Sequence, residues 1–231
     1  MRLNRRRGFT LIEVLVTLVI LMFGLLGLAG LIIMGHRASY EAYQRQQALT
    51  IANELSERIK ANQSMLENHA MDPPNPDNLT VANAYRTGTP PTLTPLGDPT
   101  NPAKWNALTV SHLTKDCGAP GVFCSRQEMV QYDLGVWEGQ LLGVSEVRTV
   151  GAAVSNIGGI INARGCVEGP LAAPSPPNTY RVSVSWQGDV PTAAPTSSTC
   201  GSDLYLNAAG AADEATRRLV SIDVTIIVPP P

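Results

Sequence analysis

One carboxylate, four thiols and a cluster of arginines are the residues of this 231-residue chain whose type and spacing could do chemistry. Glu13 lies inside an apolar stretch from Phe9 to Met34 that only Thr10, Glu13 and Thr17 interrupt. Such a carboxylate costs about 2.5–3.5 kcal/mol on membrane-insertion scales unless a cation meets it, so charge compensation is its natural task. Arg2, Arg5, Arg6 and Arg7 precede the stretch, and Cys117, Cys124, Cys166 and Cys200 lie far downstream, where they could oxidise in pairs. His36, His69 and His112 are isolated and read as surface residues, and Trp105, Trp137 and Trp186 read as packing residues. No GxSxG, HExxH, P-loop or GxGxxG pattern occurs, so neither catalysis nor a cofactor is expected. The cysteines do not form paired CxxC knuckles and His112 is the only imidazole near them, so no metal site is expected. A pI near 5.9 argues against a nucleic-acid partner.

The elements that must hold these residues differ strongly along the chain. Val14 to Met34 are 21 uncharged residues, about 30 Å of helix, one bilayer core. The arginines before them would keep that end in the cytoplasm. The stretch is too long for a secretory signal core, and no small-x-small cleavage site occurs near Met34 to Ala42. Gly24, Gly27 and Gly30 recur every three residues, which suits close helix contact or a stretch easily melted. Ala48, Ile51, Ala52, Leu55, Ile59, Asn62 and Leu66 then form a stripe at helical spacing among charged residues. One helix from Phe9 to Leu66 is expected, about 85–90 Å long, apolar in its first half and amphipathic in its second.

Eight prolines between Asp72 and Pro102 predict a long surface loop with little regular structure. Beyond it, Gln127–Leu142 reads as a short helix and Ile157–Cys166, Tyr180–Gln187 and Arg218–Val228 as strands. In the second strand Tyr180, Val182, Val184 and Trp186 alternate with Arg181, Ser183 and Ser185, which predicts one face on the helix and one in water. The expected fold class is α+β, a long N-terminal helix laid across a small antiparallel sheet.

The run Arg5-Arg6-Arg7-Gly8-Phe9-Thr10-Leu11-Ile12-Glu13 resembles the class III signal of type IV prepilins. That resemblance implies a prepilin peptidase that cuts between Gly8 and Phe9 on the cytoplasmic side and N-methylates Phe9. It implies an amine, exposed by the cut, that Glu13 compensates, with the match between neighbouring subunits setting their axial stagger. Major pilins often carry a proline in the apolar helix, and this chain has none there. Tyr132-Asp133-Leu134 with Trp137, Gly165-Cys166, Val184-Ser185-Trp186-Gln187-Gly188, Cys200-Gly201 and Arg217-Arg218 are similar to the type IV pilus modification (PilV) minor pilins. So are Gln44-Arg45-Gln46-Gln47-Ala48 and Arg58-Ile59-Lys60-Ala61-Asn62. The division expected is a leader over 1–8, a transmembrane and filament-core half over 9–36, an amphipathic half over 37–66, and a periplasmic head over 67–231 with its Pro-rich loop at 72–102.

The same resemblance implies a type IV pilin fold and a minor pilin that primes pilus assembly and belongs to a tip complex for twitching motility and adhesion. Its implied partners are the prepilin peptidase, other minor pilins, the major pilin, a large tip adhesin and the inner membrane, ending at the cell surface in the pilus. Removing the leader takes the 17 basic side chains to 13 against 19 acidic ones, which disfavours DNA uptake. A minor pseudopilin of a type II secretion system, or an anchored periplasmic binding domain, are the competing readings. In an oxidising compartment four cysteines predict disulfides with three possible connectivities, of which Cys117–Cys124, a local clasp, with Cys166–Cys200 is favoured.

Overall fold

Apolar residues at every angular position carry the chain into one continuous helix, α1 (Leu11–Ala61), in the computed structural model. The structure describes residues 8–62, 85–89, 92–93, 95–97, 115–144, 147–151, 153–156, 159–207 and 209–226. The chain divides into two compact units, Met1–Tyr43 and Gln44–Pro231. In the first unit α1 is exposed on all sides and is long and apolar enough to cross a membrane. In the second, Gln44, Ala48, Ala52, Leu55, Ser56 and Ile59 are buried, a stripe at the three- and four-residue spacing that brings one face of a helix onto a core. The helix ends at Ala61 and Asn62 forms a turn; the rest of the stretch expected up to Leu66 lies outside the described residues.

The head combines this amphipathic segment with a second helix, α2 (Arg126–Leu141), and short antiparallel strands. Ser125 caps α2: its hydroxyl accepts from Glu128 N while the Glu128 carboxylate accepts from Ser125 N, a reciprocal capping box. Strands β1 (Gly88–Thr89) and β2 (Thr92–Leu93) form one small hairpin, and β3 (Val147–Val150) with β4 (Ala153–Asn156) another. The main sheet runs β5 (Arg164–Glu168), β6 (Thr179–Gln187) and β7 (Arg217–Thr225), antiparallel throughout, with Val184 paired to Gly165 on one side and to Val220 on the other. A long apolar N-terminal helix, a small antiparallel sheet and two disulfides make this an α+β type IV pilin fold.

The core gathers Leu55 and Ile59 of α1, Leu134, Trp137 and Leu141 of α2, and Val182, Val184 and Trp186 of β6. Gly165 permits the approach of α2 to β5, because a Cβ there would stand 2.4 Å from the Trp137 ring and 2.6 Å from Leu141.

Three expectations are corrected. The strand predicted over Ile157–Cys166 begins only at Arg164, because Ile160–Asn162 form a turn in which Asn162 takes φ 50°. The Pro-rich stretch is not only a surface loop: Tyr85 and Leu96 are buried in the core, and Leu96 exchanges both backbone hydrogen bonds with Gly165 at 2.8 and 3.0 Å. The outer face of β6 is largely covered: Ser183 and Ser185 are as fully buried as Val182 and Val184, and only Arg181 and Gln187 on that face are partly exposed.

The covering element is the segment 188–216, which lies over the back of β6. Ser185 Oγ meets Tyr205 Oη at 2.8 Å, and Ser183 Oγ meets Ser221 Oγ at 3.0 Å. Arg217, itself buried, donates to the carbonyls of Pro195, Ser198 and Cys200 at 2.9, 2.9 and 3.1 Å and pairs with Glu214 at 2.5 Å. Ser198 Oγ contacts the buried Glu168 carboxylate and accepts from Cys200 N at 3.0 Å. Hydroxyls that would face water on an open sheet are thereby satisfied inside the head.

Candidate functional site

Two sets of residues stand out, one at the N-terminus and one where α1 meets the head core. Gly8, Phe9 and Thr10 precede the helix and are exposed. A Cβ built on Gly8 would meet nothing within 4 Å, and Phe9 is 84% exposed. Thr10 opens α1: its carbonyl accepts from Glu13 N at 3.1 Å and from Val14 N at 3.3 Å. Glu13 therefore occupies the first turn, where unpaired backbone N–H groups and the helix dipole favour a carboxylate by about 0.3–1 kcal/mol. Among the described residues no hydrogen bond or ion pair engages the Glu13 side chain. It lies about one helical turn past Phe9. Thr17, the next polar interruption, satisfies its hydroxyl locally by donating to Val14 O at 2.9 Å. The described residues thus place an exposed Gly8 and Phe9 immediately before a helix that carries a carboxylate in its first turn.

The second set is a polar cluster that sequence spacing does not reveal. The buried Asp133 carboxylate on α2 accepts from Arg58 Nη1 at 3.0 Å, Asn62 Nδ2 at 2.5 Å and Tyr85 Oη at 2.6 Å. Arg58 also pairs with Glu54 at 2.9 Å, and Glu54 accepts from Gln140 Nε2 at 2.5 Å. Trp137 Nε1 donates to Ile51 O at 3.0 Å. Burial, then the Asp133 charge, holds the Tyr85 phenol proton far above its ordinary range. Burial alone would weaken the Arg58 cation, but the hydrogen bonds to Glu54 and Asp133 outweigh it and raise its pKa. The last turns of α1 are thus pinned to α2 by charge-assisted bonds in addition to apolar packing. A signal for this cluster was present only in pieces, in Arg58 and Asn62 four residues apart and in Asp133 far downstream.

The cysteines form two disulfides in different surroundings. Cys117–Cys124 closes a short exposed loop ahead of α2, with Lys115 paired to Glu128 at 3.0 Å beside it. Cys166–Cys200 is wholly buried and joins β5 to the covering segment. Among the described residues no group of three or more His, Cys, Asp and Glu side chains comes together. His36 is exposed, Trp137 and Trp186 are buried in the core, and His69, Trp105 and His112 lie outside the described residues.

In comparison with known proteins, residues 3–29 fit the family described as a prokaryotic N-terminal methylation motif. The match spans Gly8, Phe9 and Glu13 and stops within the apolar helix, leaving the head outside it. It supports a class III prepilin signal, as in type IV pilins and pseudopilins, whose members are structural subunits processed by a prepilin peptidase. No curated protein and no solved structure matches the chain.

Proposed function

We propose that the chain is a minor pilin of a type IV pilus, made as a precursor, cut between Gly8 and Phe9 and N-methylated at Phe9. The observation that carries this reading is the accessible Gly8–Phe9 bond immediately before an exposed apolar helix with Glu13 in its first turn, all inside the methylation motif. Residues 1–8 form the leader, 9–36 the membrane and filament-core half, 37–66 the amphipathic half and 67–231 the periplasmic head. Cutting before Phe9 leaves an ammonium group in an apolar medium, and Glu13 supplies the opposite charge. Each buried charge is costly alone and tolerable when paired, so a pairing between neighbouring subunits selects one axial stagger of their helices. With other minor pilins, the major pilin and a large tip adhesin, the subunit primes assembly and sits in the tip complex that serves twitching motility and adhesion.

Mass spectrometry of the purified N-terminus tests the reading directly. A chain beginning at N-methylated Phe9 is expected, whereas an intact leader in cells that possess the peptidase would refute it and favour an anchored binding domain. Glu13→Ala should leave the cut intact and reduce incorporation into filaments, and unchanged incorporation would exclude the pairing. A pseudopilus subunit would pass both tests, and depletion of the chain separates the two by abolishing either twitching or secretion.

A further inference from the structure

The first full charge after Glu13 is Arg37, 24 residues on, or about 36 Å along the helix. That distance exceeds the hydrocarbon core of about 30 Å by less than the polar layers add. Around Arg37 stand His36, Tyr40 and Tyr43, all exposed, at the end of the first compact unit. His36, Tyr40 and Tyr43 keep the i, i+4, i+7 pattern and share an arc of roughly 60° on the helix. Tyr40 and Tyr43 are exposed, in contrast with the buried Ala48, Ala52, Leu55 and Ile59, so the two rings are not part of the core. Tyrosine has an apolar ring and a hydroxyl that seeks water, the pairing of properties that suits the boundary between acyl chains and headgroups. Arginine reaches from that depth to phosphate with its apolar stem still in lipid. Glu41, one turn beyond Arg37, offsets its charge, so ring depth and not net positive charge would govern the contact.

On this basis we infer that His36, Arg37, Tyr40 and Tyr43 form an interfacial belt that docks in the outer headgroup layer of the inner membrane and fixes how deep the helix sits before assembly. The inference rests on the reading of α1 as a membrane-spanning stem and adds which residues set its depth and which chemistry they meet, the glycerol and phosphate region of phospholipids.

The full chain carrying a photoreactive benzoylphenylalanine at position 28, 40, 43 or 51 would be reconstituted in phosphatidylethanolamine–phosphatidylglycerol vesicles and irradiated. Adducts of one phospholipid are expected at 28, 40 and 43 but not at 51. Fragmentation should place the attachment on distal acyl carbons for 28 and on glycerol or the first acyl carbons for 40 and 43. Adducts at 28 combined with distal acyl attachment, no lipid, or chain–chain dimers at 40 and 43 would overturn the belt while leaving the membrane stem standing. Failure to capture lipid at 28 would remove the stem itself, and the belt with it.

Discussion

Leu26 and Leu55 occupy the same helix with the same backbone geometry, yet Leu26 is 72% exposed and Leu55 is completely buried. Up to Met34, α1 presents apolar side chains on every side; from Gln44 onward it hides one stripe and leaves charged residues such as Glu57 and Lys60 outside. Local propensity does not distinguish the halves, since both are helical throughout. Their surroundings do: the second half is stabilised by its own chain, whereas the first half shows water an apolar surface that only lipid or other apolar helices would cover. A single element thus holds one segment finished by intramolecular packing and one that awaits another medium.

Mutations in the packing around the finished half should be costly, and the most costly is at Asp133 of α2, which holds Arg58 and Asn62. Asp133→Ala removes one partner of a buried, charge-assisted cluster and strands Arg58, Asn62 and Tyr85, with an expected loss of about 3–5 kcal/mol in head stability by denaturant titration. Replacing Cys166 and Cys200 with alanine should lower stability by about 4 kcal/mol, and the same change at Cys117 and Cys124 by about 2.5 kcal/mol, because the larger loop restricts the unfolded chain more. The buried pair should also resist a dithiol that reduces the exposed clasp, as read by stepwise alkylation and mass spectrometry.

The matched pair Leu55→Ala and Leu26→Ala addresses the comparison most directly. The first should cost about 3 kcal/mol and the second should leave the unfolding midpoint of the head unchanged. Equal effects at both positions would show that the two halves are stabilised alike. The most gradual effect is alkaline. Burial pushes the Tyr205 phenol up to about 12, with the hydrogen bond it shares with Ser185 opposing it, and Tyr85 is raised further still. An acid with a raised folded pKa stabilises fully below its unfolded pKa and loses that contribution as pH climbs to the folded one. Head stability should therefore fall from near pH 10 upward by about 1.4 kcal/mol per pH unit for each tyrosine, and Tyr205→Phe should flatten the slope below pH 12.

Legibility in the sequence tracked the range of the interactions. The stripe of Ala48, Ala52, Leu55 and Ile59 was readable because helical periodicity is local, and α2 emerged within one residue at each end for the same reason. The N-terminal site is likewise a contiguous run, so its charge, glycine and carboxylate can be read in line. Burial of Gln44 and Ser56 was not readable, since polar side chains in a core depend on what surrounds them; Ser56 is satisfied by donating to Ala52 O at 2.8 Å. The two-sided burial of β6 was equally hidden, because Ser183 and Ser185 look like solvent positions until Arg217 and Cys200 draw a distant segment across them. The Asp133 cluster spans 75 residues between Arg58 and its acceptor, a separation at which spacing carries no information.

The covering segment has a practical consequence. Val190 to Ala194 face outward, while Thr192 N donates to Ala215 O at 2.8 Å and Arg217 holds Pro195 O at 2.9 Å. Its ends are therefore moored on both sides of a short outward-facing window. A peptide tag spliced between Ala193 and Ala194 would be displayed to antibodies with little disturbance beneath it, offering a handle for locating the folded protein in intact cells.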